Sequence, residues 1–251
     1  MKKYKCIPII LVLLILATSC SIVHNPVKKD LVLSDTIAVN LSEKGLEFVI
    51  YFEKGEKHNH PTFVFWTEDM NENYLQTLFI TKSFATGIFG HAPINDTLWG
   101  TEPGIAKRPA ALPYWWHKSK KESIEITVPS PDQPYVDAYS GETPKGSFAL
   151  KIKTNNIINS KFRLLMEINQ PWDWNDFWTN NKFPDDKAYK TSCQPSLIYS
   201  VTIDPKSKIK EYYLNPIGHG HYSGKDGLLY TDLSTITTAR QIIKKVKVIL
   251  Y

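Results

Sequence analysis

Cysteine is almost missing from this 251-residue chain, which holds three: Cys6, Cys20 and Cys193. Two of them fall in or beside an N-terminal apolar run, so only Cys193 is left for the folded part. One thiol makes no intramolecular disulfide, redox pair or thiolate metal site, so the fold must be held by its core and Cys193 is expected buried and inert. Local catalytic patterns are missing as well. No Gly-x-Ser-x-Gly elbow and no His-Glu-x-x-His pair occurs, which removes the local signs of a serine hydrolase and a zincin. Gly218 to Asp226 comes near a phosphate loop and fails. The spacing before Gly224-Lys225 is one residue too long, and Asp226 stands where a Ser or Thr would hold magnesium. Long apolar runs are limited to Ile7–Leu16, too short to span a bilayer comfortably as a mature helix. Strong charge is lacking too. Once Lys2, Lys3 and Lys5 leave with the N-terminal segment, the net charge falls from +5 to +2, too nearly neutral for a phosphate-backbone binder.

What is present points first to an address. Met1–Lys5 is basic, Ile7–Leu16 is apolar, and Ala17-Thr18-Ser19 puts small residues before Cys20. This resembles a bacterial lipobox, with Leu16 one place further from the cysteine than in the commonest pattern. The resemblance implies a signal peptide over 1–19, a lipid on Cys20 and a cell-envelope location facing the periplasm or the cell surface. Residues 20–29 read as a polar tether and 30–251 as one domain, with no internal repeat or linker dividing it.

Hydrophobic residues at 42% and aromatics at 12% suit a packed chain, while sixteen prolines favour turns over long helices. Leu46–Phe52, Thr62–Trp66 and Tyr74–Thr81 are rich in β-branched and aromatic residues. Alternation is clean at Ile124–Val128, at Phe148–Ile152 opposite Lys151 and Lys153, and at Phe162–Ile168 opposite Arg163, Glu167 and Asn169. Ser196–Ile203, Glu211–Leu214 and Val246–Leu250 add three more strands. Only Ser234–Lys244 reads as a helix. The expected fold is all-β, a sandwich or partly open barrel, with long aromatic loops and one short C-terminal helix.

Two loops break the rhythm, Phe84–Lys121 and Pro171–Pro195, and each carries tryptophans. Trp172, Trp174 and Trp178, extended by Trp115 and Trp116, would make a stacking platform for sugar rings. Folded inward, they would instead plug the end of a sandwich, which is the commoner use of indoles. His219-Gly220-His221 would place two imidazoles on one face for a transition metal. A third ligand would come from His117, Asp173, Asp176 or Asp226, though two histidines alone are an incomplete site and a glycine-rich turn is the simpler reading. Asp137–Thr143 reads as a turn with Ser140-Gly141 at its tip. It also resembles the acceptor motif of extracytoplasmic flavin transferases, which implies FMN joined through its phosphate to the hydroxyl of Thr143. Glu142 departs from that motif, where alanine is usual.

Phe65-Trp66-Thr67-Glu68-Asp69, Tyr74–Phe79, Arg108-Pro109, Leu112–Trp115, Val136–Pro144, Asp173-Trp174-Asn175 and Gly218–His221 occur in an order that resembles a family of predicted periplasmic proteins of unknown function. The resemblance implies an immunoglobulin-like β-sandwich, exported, sometimes accompanied by flavin-transfer or iron-uptake partners. With no complete acid–base or nucleophile set, the leading expectation is a non-catalytic, membrane-anchored accessory or binding module, without nucleic acid. A carbohydrate-binding lipoprotein using the Trp-rich loop is the second class. A metal-dependent enzyme centred on His219 and His221 is the third.

Overall fold

A computed structural model describes residues 31–95, 98–120 and 127–251. The signal, Cys20 and the tether fall outside the described residues, as does most of the strand expected at Ile124–Val128. Among the described residues no helix is long and apolar enough to cross a membrane.

The strands in chain order are β1 (Asp35–Val39), β2 (Glu47–Lys54), β3 (Thr62–Glu68), β4 (Tyr74–Thr81), β5 (Ile88–Phe89), β6 (Gly104–Ile105), β7 (Tyr139–Gly141), β8 (Phe148–Lys153), β9 (Phe162–Asn169), β10 (Leu197–Ile203), β11 (Glu211–Tyr213), β12 (Asn215–His219) and β13 (Ile243–Leu250). They form a five-stranded sheet in the order β1-β8-β2-β13-β11, a six-stranded sheet in the order β12-β10-β9-β3-β4-β7 and a small β5-β6 ribbon. Pairing is antiparallel except at β1–β8 and β4–β7.

The two large sheets pack face to face through alternate residues. Phe48, Ile50 and Phe52 of β2 and Phe148, Leu150 and Ile152 of β8 meet Phe63 and Phe65 of β3 and Phe162, Leu164 and Met166 of β9. Phe52, Phe148, Phe63 and Phe79 stack across this interface with successive centroids 4.7, 5.4 and 5.5 Å apart. Such pairs contribute about 0.5–1.5 kcal/mol each beyond the area they bury.

The six-stranded sheet is covered on its other face as well. Val64, Trp66, Ile80, Leu165 and Ile198 point outward there and pack under Phe84, Leu112, Tyr114, Trp115, Trp116 and Tyr135. Every residue of β3 is therefore buried, a burial pattern that alternation alone does not announce. The same cover corrects the expected polar face of β9, since Glu167 and Asn169 are enclosed rather than solvated.

Three short helices are present that the sequence did not announce: α1 (Lys82–Thr86) and α2 (Pro113–Ser119) in the covering layer, and α3 (Lys187–Ser192), whose Tyr189 joins the core between the sheets. Pro113 occupies the first turn of α2, where its missing N–H costs nothing. Two buried carboxylates clamp this helix. Glu167 accepts from the Tyr114 and Trp115 backbone N–H groups at 3.2 and 2.8 Å and from Ser196 Oγ at 2.6 Å. Glu68 takes Lys118 Nζ at 2.9 Å, near the other end, and Arg163 Nη1 at 3.2 Å.

Two further expectations are corrected. Ser234–Lys244 is not an α-helix. Only Thr238–Gln241 forms a single 3₁₀ turn, and Ile243 already belongs to β13. The β-branched run Thr235–Thr238 and the pull of Ile242, Ile243 and Val246 into the core outweigh helical periodicity. Ser140-Gly141 is likewise no turn tip, because Tyr139–Gly141 pairs with Phe79–Thr81 as an edge strand.

Candidate functional site

At the end of the six-stranded sheet where β3 begins and β4, β7 and β9 finish, six chain segments surround a cleft of about 420 Å³. Its lining includes Asn59, His60, Thr62, Ser83, Phe89, His91, Arg108, Thr143 and Trp172. The walls are tied together. Thr143 Oγ1 donates to the Pro61 carbonyl at 3.0 Å, the Asn59 N–H donates to Gln170 Oε1 at 2.7 Å, and the Trp172 N–H donates to the Thr191 carbonyl at 3.1 Å. His60 and Trp172 both hold positive φ, +49° and +55°. Backbone strain of this kind costs about 1–3 kcal/mol per residue and gathers at ligand clamps.

Arg108 is the unusual member. It is 4% exposed, and its guanidinium carbon lies 4.2 Å from the Phe89 ring centroid, with Trp99 and Trp172 at 5.8 and 5.9 Å. Its Nη2 donates to the His91 carbonyl at 2.9 Å, while the buried Nε has no acceptor. Burial alone pulls its pKa down, to about 10, which leaves it charged at neutral pH. Burying an unpaired charge costs on the order of several kcal/mol, and cation–π contacts return about 0.5–2 kcal/mol. The cleft's one lining carboxylate, Glu142, is largely exposed and pairs with Lys82 at 3.1 Å instead.

The tryptophans expected to share a platform go to different places. Trp115 and Trp116 are buried in the layer over the six-stranded sheet, which corrects their assignment as ligand contacts. Trp178 is also buried, donating Nε1–H to Thr235 Oγ1 at 3.1 Å and packing near Tyr189 and Tyr222, so it plugs the sandwich. Trp172 faces the cleft, and Trp174 stands 55% exposed. Indoles two residues apart diverge here because Trp172 turns left-handed and Asn175 Oδ1 pins the N–H groups of Phe177 and Trp178.

The histidine pair is engaged otherwise. His219 is buried, stacks on Tyr230 at 5.4 Å and donates from Nδ1 to the Gly220 carbonyl at 2.7 Å, which leaves its lone pair on Nε2. His221 Nδ1 instead accepts from the Ser223 N–H at 3.1 Å, so its own lone pair is used. Gly220 is required by packing, since a Cβ there would meet Pro113 Cγ and Ser196 Oγ at 2.7 Å. Asp173 is held by Thr238 Oγ1 and Asp176 is exposed. Among the described residues no group of three His, Cys, Asp or Glu is placed to hold a metal. Zinc is therefore expected to leave the melting temperature unchanged. A zinc-induced rise that vanishes in the His219→Ala/His221→Ala double variant would make the pair a metal site.

Cys193 is buried, as expected of an inert thiol, and burial pushes its pKa up to about 12. Thr143 lies at the cleft, half-buried, beside Arg108, His60 and His91, none of which carries a local catalytic signature. Arg108 stands out in sequence only as one of three arginines among thirty basic residues. No family model, curated protein or solved structure matches the chain.

Proposed function

We propose that the protein is a non-catalytic binding module, held outside the cytoplasm by a lipid on Cys20, with its ligand seat in the cleft around Arg108. The observation that carries this reading is the convergence of six separated segments on one cross-tied cleft with aromatic walls and inward polar groups. The two stacked sheets agree with an immunoglobulin-like sandwich, the finer assignment that the family resemblance implies. Export and anchoring rest on the residues around Cys20. Cys20→Ala is expected to leave an uncleaved precursor or to move the protein out of the membrane fraction. Unchanged processing and partition in that variant would overturn the location.

Thr143 at the cleft favours a redox version of this reading, with covalent FMN. The residues fit such a group. The Thr143 hydroxyl is half-buried, Arg108 offers a charge without a carboxylate partner among the described residues, Trp172 offers a ring face, and Lys82 pairs with the Glu142 carboxylate that would repel a phosphate. FMN when bound would supply electron transfer, and this chain would orient it and set its location beside envelope redox or uptake partners. Co-expression with a flavin transferase is expected to add one FMN mass and in-gel fluorescence to wild type and none to Thr143→Ala. An unlabelled wild type would remove the flavin version and leave the binding module standing.

A further inference from the structure

We infer that Arg108 is the anchor for an oxyanion, a phosphoryl or carboxyl group carried on a small flat ring, and that this is the chemistry the cleft recognises. The inference rests on the cleft being the ligand seat and adds what the ligand must carry.

The charge is the starting point. Arg108 is 96% removed from solvent by the fold yet has no carboxylate within ion-pair distance among the described residues. The two fully buried glutamates of this chain are compensated. Glu68 has Lys118 and Arg163, and Glu167 has three hydrogen-bond donors. Among the described residues only one guanidinium bond is made, Nη2 to the His91 carbonyl, so most of the donor fork is unused there. Phe89, Trp99 and Trp172 surround the cation without neutralising it.

Part of the lining has the matching polarity. The Asn59 side-chain amide and the Ser83 hydroxyl can donate to a ligand, whereas the Thr143 hydroxyl and the Nδ1–H groups of His60 and His91 already donate to the Pro61 carbonyl, Asn59 Oδ1 and the Gly100 carbonyl. Lysine is the common basic residue of this chain, and arginine's planar fork is what binds a two-oxygen anion in parallel. Trp172, tilted against His91 at 5.5 Å, gives the ligand's ring an apolar neighbour. A lone inorganic ion would use the fork and leave that wall idle, which is why the ligand is drawn as an anion on a ring.

The test is calorimetric titration of the full chain in detergent with phenyl phosphate, benzoate and phenol. One or both anions are expected to bind saturably and phenol not at all, and the better anion identifies the group as phosphoryl or carboxyl. Arg108→Gln should weaken anion binding at least tenfold, and Arg108→Lys, which keeps the charge but loses the fork, should also bind more weakly than wild type. Without ligand, Arg108→Met should melt at or above wild type, because it removes a charge that the protein leaves unpaired. The inference is overturned by wild type binding neither anion, by Arg108→Gln binding them as wild type does, or by Arg108→Met melting well below wild type while Arg108→Lys does not. If phenol and phenyl phosphate bind equally, and Trp172→Ala abolishes both, the cleft remains a ligand seat and only the anion assignment fails. If none of the three binds, both readings fall.

Discussion

Raising the pH from 4.5 to about 7 is expected to cost this fold about 3 kcal/mol at one side chain, Glu167. The carboxyl is completely buried between β9, the first turn of α2 and Ser196, and burial pushes its pKa up to about 7. Three donors pull it the other way, and burial prevails. Between its ordinary value and about 7 the folded state holds a proton that the unfolded chain has released. Stability is therefore highest at the acidic end of that window and is lost as the pH rises through it. His58 opposes this. Its pKa is lowered to about 4 by burial and by Lys54, so its contribution is lost as the pH falls below 6.5, by a smaller amount because water screens the half-buried ring. The comparison of wild type with Glu167→Gln isolates the carboxyl. Urea unfolding at about pH 5 and about pH 8 should show a drop in wild type that is largely absent from the variant. The variant should be weaker than wild type at the acidic end by about 1–3 kcal/mol, since its amide places a donor against donors. Equal pH dependence in the two proteins would refute the assignment.

Trp115→Ala should destabilise the fold by about 3–5 kcal/mol, the cost of a large core truncation. The indole is fully buried at the centre of the layer over the six-stranded sheet, and Tyr135 meets it edge-on at 5.1 Å. Its Nε1–H donates to Thr77 Oγ1 at 2.9 Å, an oxygen that Tyr135 and Tyr74 also reach, at 3.0 and 2.7 Å. Removal opens a cavity and breaks this network together. Trp115→Phe keeps most of the volume and should cost less. Trp174→Ala should fall within about 0.5 kcal/mol of wild type, because that ring stands in solvent. A Trp115→Ala protein with near-normal stability would show that the outer layer is not part of the cooperative core.

The sandwich itself is legible in the sequence. Phe148, Leu150 and Ile152, and Phe162, Leu164, Met166 and Ile168, alternate in the sequence and do face one core, because the two-residue period of a strand is a local property. The hydrophobic content of β3 was equally visible, since a buried strand needs no partner to reveal its composition.

The second layer was not legible. Whether Glu167 faces water or a helix depends on α2, which lies 52 residues earlier in the chain at Trp115 and has only two turns. Glu167 supplies the end cap that Leu112 lacks, so no local signal marked the helix. The fate of the tryptophans was decided the same way. An indole offers identical surface to a ligand or to a core, and only the packing of the layer separated Trp115 from Trp172. The candidate site shows the sharpest division. Residue chemistry alone drew attention to Thr143 and Trp172, whereas Arg108 acquires meaning from what surrounds it. That no acid among the described residues stands beside this buried guanidinium is a property of three-dimensional neighbours, and no one-dimensional pattern contains it.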